Sequence, residues 1–254
     1  MTRPISDPRS AHQKIAATLR RQITRGDLSP GSQLPSTPAL MAEYNVAGTT
    51  VQKALQMLKE EQLLIGQPGK GVFVQGGTQQ SISPEIYMPP AAPGEPFRWI
   101  TEAEKRSQRG SVTLLEVAVV SPPFEVRRAL DLAETGQALL RKQVLHLDGQ
   151  PTELTHSFYP LELAEGTAVM EHRKIKGGTP TLLAELGYPP ESFTDEVSAE
   201  IPTEEEVLAL ELPKDMPVMV TFRVVRSTDR RPIEVSLMTK AAHRYRMRYS
   251  ISLQ

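Results

Sequence analysis

The side chains in this 254-residue sequence whose types and spacing could do chemistry gather first at Gly48, Thr49, Thr50, Gln52, Lys53 and Gln56. Hydroxyls, amides and one cation over about two helical turns are the groups that read base edges and phosphates, and Gly48 leaves amide nitrogens open to a phosphate. Gly69-Lys70-Gly71 adds a cation where the backbone can come close to a nucleic acid. Bond-making chemistry has far less to work with. The chain contains no cysteine, which excludes a thiolate nucleophile, Cys-ligated zinc and an iron–sulfur cluster. His146 and His156 stand ten apart without a carboxylate at triad spacing, so they and His243 read as structural or surface residues. The run Glu204-Glu205-Glu206 reads as a solvated first helical turn rather than a metal site. With no paired acid and base and no phosphate-cradling glycine loop, no catalytic residue, metal or cofactor is expected.

The elements that must position the first group are legible from periodicity. Ile15, Leu19 and Ile23 recur on one side of a helix over His12 to Arg25, which Gly26-Asp27 ends. After the turn Leu28-Ser29-Pro30-Gly31, Ser36 or Thr37 caps a short helix carrying Leu40, Met41 and Tyr44. A third helix from about Thr49 turns Val51, Ala54, Leu55 and Leu58 inward and Thr49, Gln52, Lys53 and Gln56 outward. Leu63-Leu64-Ile65 and Val72-Phe73-Val74 about a Gly-rich connection read as a hairpin. Three helices and a hairpin in this order form a winged helix-turn-helix, whose third helix enters the major groove while the wing follows the backbone. The candidate DNA contacts are therefore Ser36, Thr37, Gly48, Thr49, Thr50, Gln52, Lys53, Gln56, Gly69, Lys70 and Gly71. The net charge of -1 conceals a surplus of four cations over residues 1–75 and a deficit of five beyond them, an asymmetry that points the same way.

The length favours two domains. The segment 76–97 contains five prolines and reads as a linker between a DNA-binding domain over 1–75 and a second domain over 98–254; Ile82, Ile86, Tyr87 and Met88 leave open an ordered strap lying across one domain. Beyond it the chain alternates: Val112, Leu114 and Val117; Val218, Val220, Phe222 and Val224; Ile233, Val235 and Leu237; and a last period-2 strand from Tyr245 through Met247, Tyr249 and Ile251 to Leu253. Helices fall at about Glu125 to Leu132, Pro180 to Leu186 and Thr203 to Leu210, the last opened by a capping box between Thr203 and Glu206. The fold class is α+β with a mainly antiparallel sheet. No apolar run approaches the roughly 18 residues of a membrane helix and the first residues lack a secretory pattern, so a cytoplasmic protein with no membrane partner is expected.

Residues 12–75 resemble the GntR-type bacterial transcription regulators, through Leu19-Arg20, Pro30-Gly31, Leu34-Pro35-Ser36, Thr50-Val51, Ala54-Leu55 and Gly69-Lys70-Gly71 before Phe73-Val74. The departures bear on the operator. Where the family usually has arginines, this chain has Pro38, Ala47-Gly48 and Gln52. Gln52 is then a candidate reader of adenine, and fewer cations imply a flatter salt dependence. A domain that keeps the fold but has lost DNA binding is the alternative.

From about Glu102 the chain resembles the UTRA effector domain of the HutC branch, a fold similar to chorismate lyase, through Leu147-Asp148-Gly149-Gln150-Pro151, Ser157-Phe158-Tyr159-Pro160, Leu186-Gly187-Tyr188, Arg231-Pro232-Ile233-Glu234 and Arg244-Tyr245-Arg246. The resemblance implies a small-molecule pocket at strand ends, with Arg141, Gln143, Glu153, Ser157, Tyr159, Glu234, Arg244 and Tyr245 as candidate effector contacts. Arginine would hold an anion, glutamate a hydroxyl or amine, and Tyr or Ser would set orientation. Sugar-phosphate-binding relatives commonly carry an arginine pair on the strand before Asp-Gly; Gln143 and Leu145 here leave a more neutral ligand open. Glu153 and Glu234 facing solvent is the dull alternative, as is an exposed cationic row of Arg244, Arg246 and Arg248. The resemblance implies a ligand-responsive regulator, a repressor and homodimer on near-palindromic double-stranded DNA half-sites. The competing readings are a regulator without effector, whose second domain dimerises or meets a protein partner, and an enzyme of the lyase-like fold.

Overall fold

Ile15, Ala16, Leu19 and Ile23 line the buried face of α1 (Ala11–Arg25) because they recur at helical spacing, and Ser10 with Gln13 closes a capping box at its start. The computed structural model describes residues 7–75, 80–213 and 216–250, divided into two compact units, Met1–Gln80 and Ser81–Gln254. In the first unit α2 (Thr37–Tyr44) starts where the Ser36 hydroxyl accepts from the Ala39 amide and ends at Asn45 in the left-handed region. Next, α3 (Gly48–Glu60) buries Val51, Ala54, Leu55 and Leu58 against α1, with Leu40 completing the core. The antiparallel hairpin of β1 (Leu64–Gln67) and β2 (Gly71–Val74) follows, and Gln33 bridges to Phe73 on its outer side. An ion pair ties α1 to the end of α3: Arg20 donates from Nε and Nη2 to the two carboxylate oxygens of Glu61 at 2.6 and 2.5 Å, and Glu61 is buried.

The second unit begins with β3 (Gln80–Ile82), α4 (Pro84–Tyr87) and α5 (Arg98–Glu104), then β4 (Gly110–Val120), α6 (Phe124–Ala129), β5 (Ala138–Leu147), β6 (Gln150–Pro160), α7 (Leu161–Ala164) and α8 (Thr179–Glu185). It closes with β7 (Ser192–Glu200), α9 (Glu204–Leu210), β8 (Val218–Arg226), β9 (Pro232–Ala241) and β10 (Tyr245–Met247). Six strands form one antiparallel sheet in the order β4-β5-β6-β9-β8-β7, and β10 pairs separately with β3. Asp148 and Gly149, both at positive φ, make the two-residue turn between β5 and β6, which sets their register. That register carries one row of side chains across the sheet: Val117, Arg141, Ser157, Ser236, Arg223 and Asp195 stand opposite one another in turn. The other face is mainly apolar, with Leu140, Phe158, Val224 and Val235 under α6 and Val144, Leu154 and Val218 under Leu210 of α9, while Lys142 and Thr239 on it bond to Glu205 and Glu206 of α9. A bulge between Leu114 and Glu116 explains why Val112, Leu114 and Val117 break strict alternation.

Three expectations change. The linker expected over 76–97 gives way, over 84–97, to the strap alternative: Pro84, Ala91, Tyr87 and Phe97 pack on the second unit, the Ala91 amide donates to Thr181 Oγ1 at 2.9 Å and Arg98 Nε donates to the Pro90 carbonyl at 2.9 Å. Pro84 starts the single turn of α4 and the later prolines preclude a longer helix, yet they do not preclude burial, and the aromatic residues Tyr87 and Phe97 supply the area. Gly76–Gln79 lie outside the described residues. The last strand stops at Met247, short of Tyr249, while Ile251 and Leu253 lie outside the described residues. Arg244 departs from the exposed row, being half-buried and donating from Nη1 to the Pro151 carbonyl at 2.8 Å; Arg246 and Arg248 are exposed.

Candidate functional site

In the first unit the inward spacing of α3 leaves Thr49, Gln52, Lys53 and Gln56 exposed on one face, with Thr50 and Gly48 half-buried. Gly48 is tight at the helix start, since a Cβ there would meet Met41 Sδ at 3.2 Å. Gln52 Nε2 donates to Thr37 Oγ1 at 3.1 Å, which joins the exposed face of α3 to the start of α2 beside Ser36. Gln56 Nε2 donates along the helix to Glu60 Oε1 at 3.0 Å. At the hairpin tip Gly69 (φ +73) turns the chain, Lys70 is exposed, and the Lys70 carbonyl accepts from Gln33 Nε2 at 2.6 Å. Gly71 sits at φ +116, where only glycine is at ease, and a Cβ there would come within 2.7 Å of that same Gln33 nitrogen. Gly71→Ala is therefore expected to destabilise the hairpin by about 1–3 kcal/mol and weaken DNA binding, while Gly69→Ala, with open space around it, costs about 1 kcal/mol. Thermal unfolding and a mobility shift of both variants check this; equal effects would mean the Gln33 contact is irrelevant.

In the second unit the polar row of the sheet floors a cleft roofed by the strap. Its inner part, about 60 Å³, is lined by Tyr87, Phe97 and Trp99 above and by Gln143, Glu153, Thr155, Ser157, Arg223, Glu234 and Ser236 below. It shares Phe97, Gln143 and Thr179 with an outer part of about 300 Å³, walled by Ile100, Val112, Leu114 and Ile175, with Arg141, Lys174 and Lys176 also on its lining.

The charges on this floor are mostly matched. Arg223 and Asp195, both buried, form a bidentate pair at 2.6 Å for each hydrogen bond, and the guanidinium lies 4.5 Å from the Phe193 ring centre and 5.8 Å from that of Tyr87. Burial pulls the Arg223 guanidinium down, but the Asp195 hydrogen bonds and the neighbouring Tyr87 outweigh it and leave its pKa above the ordinary value. Tyr249 donates its hydroxyl to Asp195 Oδ2 at 2.7 Å. Lys240, fully buried, stands 3.3 Å from Glu153 Oε2 in an ion pair rather than a directed hydrogen bond; burial lowers its pKa and Glu153 works against that shift. Glu153 Oε1 also accepts from Thr155. Glu234 differs: its Oε1 accepts from Ser236 at 2.6 Å and Ser157 at 3.1 Å, and it forms no ion pair among the described residues.

Of the candidate effector contacts, Gln143, Glu153, Ser157 and Glu234 converge on this cleft. Arg141 borders its outer part but donates to the Val169, Glu171 and Arg173 carbonyls at 2.6, 2.9 and 2.8 Å, holding the loop that leads to α8. Tyr159 is buried in the core with Leu139, Leu163 and Leu183, and Tyr245 packs against Trp99, Leu145 and Leu147, apart from the cleft lining. Sequence reasoning missed Arg223, Asp195, Lys240 and Tyr87. A signal exists in β8 and β9: Thr221 and Ser236 are small and polar on the face that carries Arg223 and Lys240, the pattern of a covered polar surface rather than a solvated one.

Among the described residues no group of three His, Cys, Asp or Glu could hold a metal ion, and no helix is long and apolar enough to cross a membrane. Residues 11–74 match the family of bacterial regulatory proteins, gntR family, and residues 105–246 match the UTRA domain. The chain is 26% identical to an uncharacterized HTH-type transcriptional regulator of Streptomyces coelicolor over 95% of this chain and 92% of that protein. It is 30% identical to the mannosyl-D-glycerate transport/metabolism system repressor of Escherichia coli over 64% of this chain and 65% of that protein. A crystal structure described as a GntR-family transcriptional regulator is similar with a TM-score of 0.61 and 26% identity, covering 97% of this chain and 99% of the other.

Proposed function

This chain belongs to the bacterial regulatory proteins of the gntR family that carry a UTRA domain, and from that premise we propose that it is a repressor released from its operator by a small-molecule effector. The observation that carries the reading is the exposed face of α3, where Thr49, Gln52, Lys53 and Gln56 stand outside the core with no partner among the described residues beyond Thr37 and Glu60. A helix of this kind reads base edges in the major groove, and Lys70 at the hairpin tip meets phosphate. The protein acts as a cytoplasmic homodimer, so each head reads one half-site of a near-palindrome and the dimer symmetry sets their spacing. A relative named as the repressor of a transport and metabolism system supports the repressor assignment and a non-enzymatic role.

The effector occupies the cleft between the sheet and the strap, in contact with Gln143, Ser157 and Glu234. The strap is the chain segment that follows the DNA-binding unit, so a ligand that holds or lifts it couples to operator binding, and the operator must disfavour that ligand by the same factor. One observation favours the effector-free alternative: Arg141, the residue for an anionic ligand, is engaged by loop carbonyls. A mobility shift on the DNA upstream of the protein's own gene decides. Retention at moderate salt and release by cell extract are expected. A shift that no extract alters overturns the effector, and the absence of any retained genomic fragment overturns DNA binding.

A further inference from the structure

The charges on the cleft floor set the chemical class of what fits there, an inference that rests on the effector reading above. The acids are Asp195, Glu153 and Glu234; the cations are Arg223, Lys240 and Arg141. Asp195 is matched by Arg223, and Glu153 by Lys240. Arg141 directs its guanidinium into three loop carbonyls and makes no ion pair with Glu234. Glu234 is left as the one acid on this floor without a cation among the described residues. Both hydroxyls it receives fall on Oε1, so Oε2 has no donor from the described residues. Glu234 lines a pocket that also has Tyr87, Phe97 and Trp99 on its walls, and aromatic ring faces attract a cation.

We propose that the effector is a monoamine with an apolar body, its ammonium group donating to Glu234 Oε2 in the inner cleft and its body lying in the outer one. The size fits. The inner part, about 60 Å³, is the smaller and suits the head group, and the outer part, about 300 Å³, suits the body. The outer walls, Phe97, Ile100, Val112, Leu114 and Ile175, are apolar. A phosphate or carboxylate head would meet Glu234, the acid left without a cation among the described residues, and a hydroxyl would satisfy Oε2 without matching its charge. The outer end is specified as well. Lys174 and Lys176 are exposed on the lining of the outer cleft and neither has a carboxylate partner among the described residues, so a second ammonium at the far end of the ligand is repelled. The cleft thus selects one positive charge at one end.

Four probes of equal chain length separate the terms: hexylamine, hexanol, hexanoate and hexamethylenediamine, titrated into the full-length protein by calorimetry. Hexylamine is expected to bind at least about tenfold tighter than each of the others. Glu234→Gln should bring hexylamine down to the affinity of hexanol, with an unfolding transition in the ligand-free variant showing that it folds. Lys174→Ala with Lys176→Ala should raise diamine affinity several-fold. Hexanol or hexanoate binding as tightly as the amine, no binding by any probe, or an E234Q protein that keeps the amine preference overturns the proposal. The effector reading falls separately: an anionic metabolite that releases the operator retains the regulator and sinks the amine, whereas an operator complex that no extract disturbs removes the effector itself.

Discussion

Replacing Asp195 by Ala is expected to lower the stability of the second unit by about 3–5 kcal/mol, the range for removing one partner of a buried ion pair. Arg223 is 2% exposed, and both of its hydrogen bonds to a side-chain carboxylate run to Asp195. Without them the guanidinium keeps its charge, because arginine does not deprotonate, and at 2% exposure it meets little solvent. The Phe193 and Tyr87 rings offer about 1–2 kcal/mol of cation–π attraction, and the Tyr87 hydroxyl beside the guanidinium is a neutral acceptor that does not replace a carboxylate. Tyr249 loses its acceptor at the same time. For a unit of this size the loss corresponds to a fall of roughly 6–20 °C in the unfolding transition. The contrasting variant, Asp195→Leu with Arg223→Met, removes both charges and should recover most of the loss, since a matched apolar pair carries no unpaired ion. A single variant within about 1 kcal/mol of the parent would show that water reaches Arg223 and that the strap is not a closed roof.

The double substitution Gln52→Ala with Lys53→Ala is expected to weaken operator binding on the order of 100-fold. A bidentate amide-to-adenine contact contributes about 1–3 kcal/mol of discrimination, and one phosphate contact adds a term that salt removes. Both residues are exposed, and among the described residues the only side-chain bond lost is Gln52 to Thr37, so stability should move by less than about 1 kcal/mol. The two terms separate by ionic strength: Lys53→Ala alone should reduce the slope of log affinity against log salt by about 1, and Gln52→Ala alone should leave the slope and relax base preference at one position. Unchanged affinity in the double variant would mean that α3 does not enter the groove. The same reasoning extends to the missing family arginines, where Pro38, Ala47-Gly48 and Gln52 stand: this member has few cations with which to hold DNA, and a shallow salt dependence is the expected mark of that.

The DNA-binding unit was readable because its determinants are local. The spacing of Ile15, Leu19 and Ile23, and of Val51, Ala54, Leu55 and Leu58, names the buried faces, and the exposed faces follow by subtraction. The capping box at Thr203 and the Asp148-Gly149 turn were legible for the same reason. The Arg20–Glu61 pair was not, since 41 residues separate its members and nothing near either one announces the other.

What the sequence by itself determined is the order of the elements, the α+β class, the recognition helix and the residues it turns outward; periods of 3.6 and 2 and a few turn residues suffice for these because each involves neighbours in the chain. Only the tertiary structure decided that the proline-rich strap is a roof rather than a linker, that Arg141 serves a loop, and that Tyr159 and Tyr245 are core. It alone brought Arg223 to Asp195 and Lys240 to Glu153, leaving Glu234 without a cation among the described residues. Charge matching on a sheet face depends on strand order and on what covers the face, and the order β6-β9-β8-β7 joins residues up to 87 positions apart through contacts that no local pattern encodes.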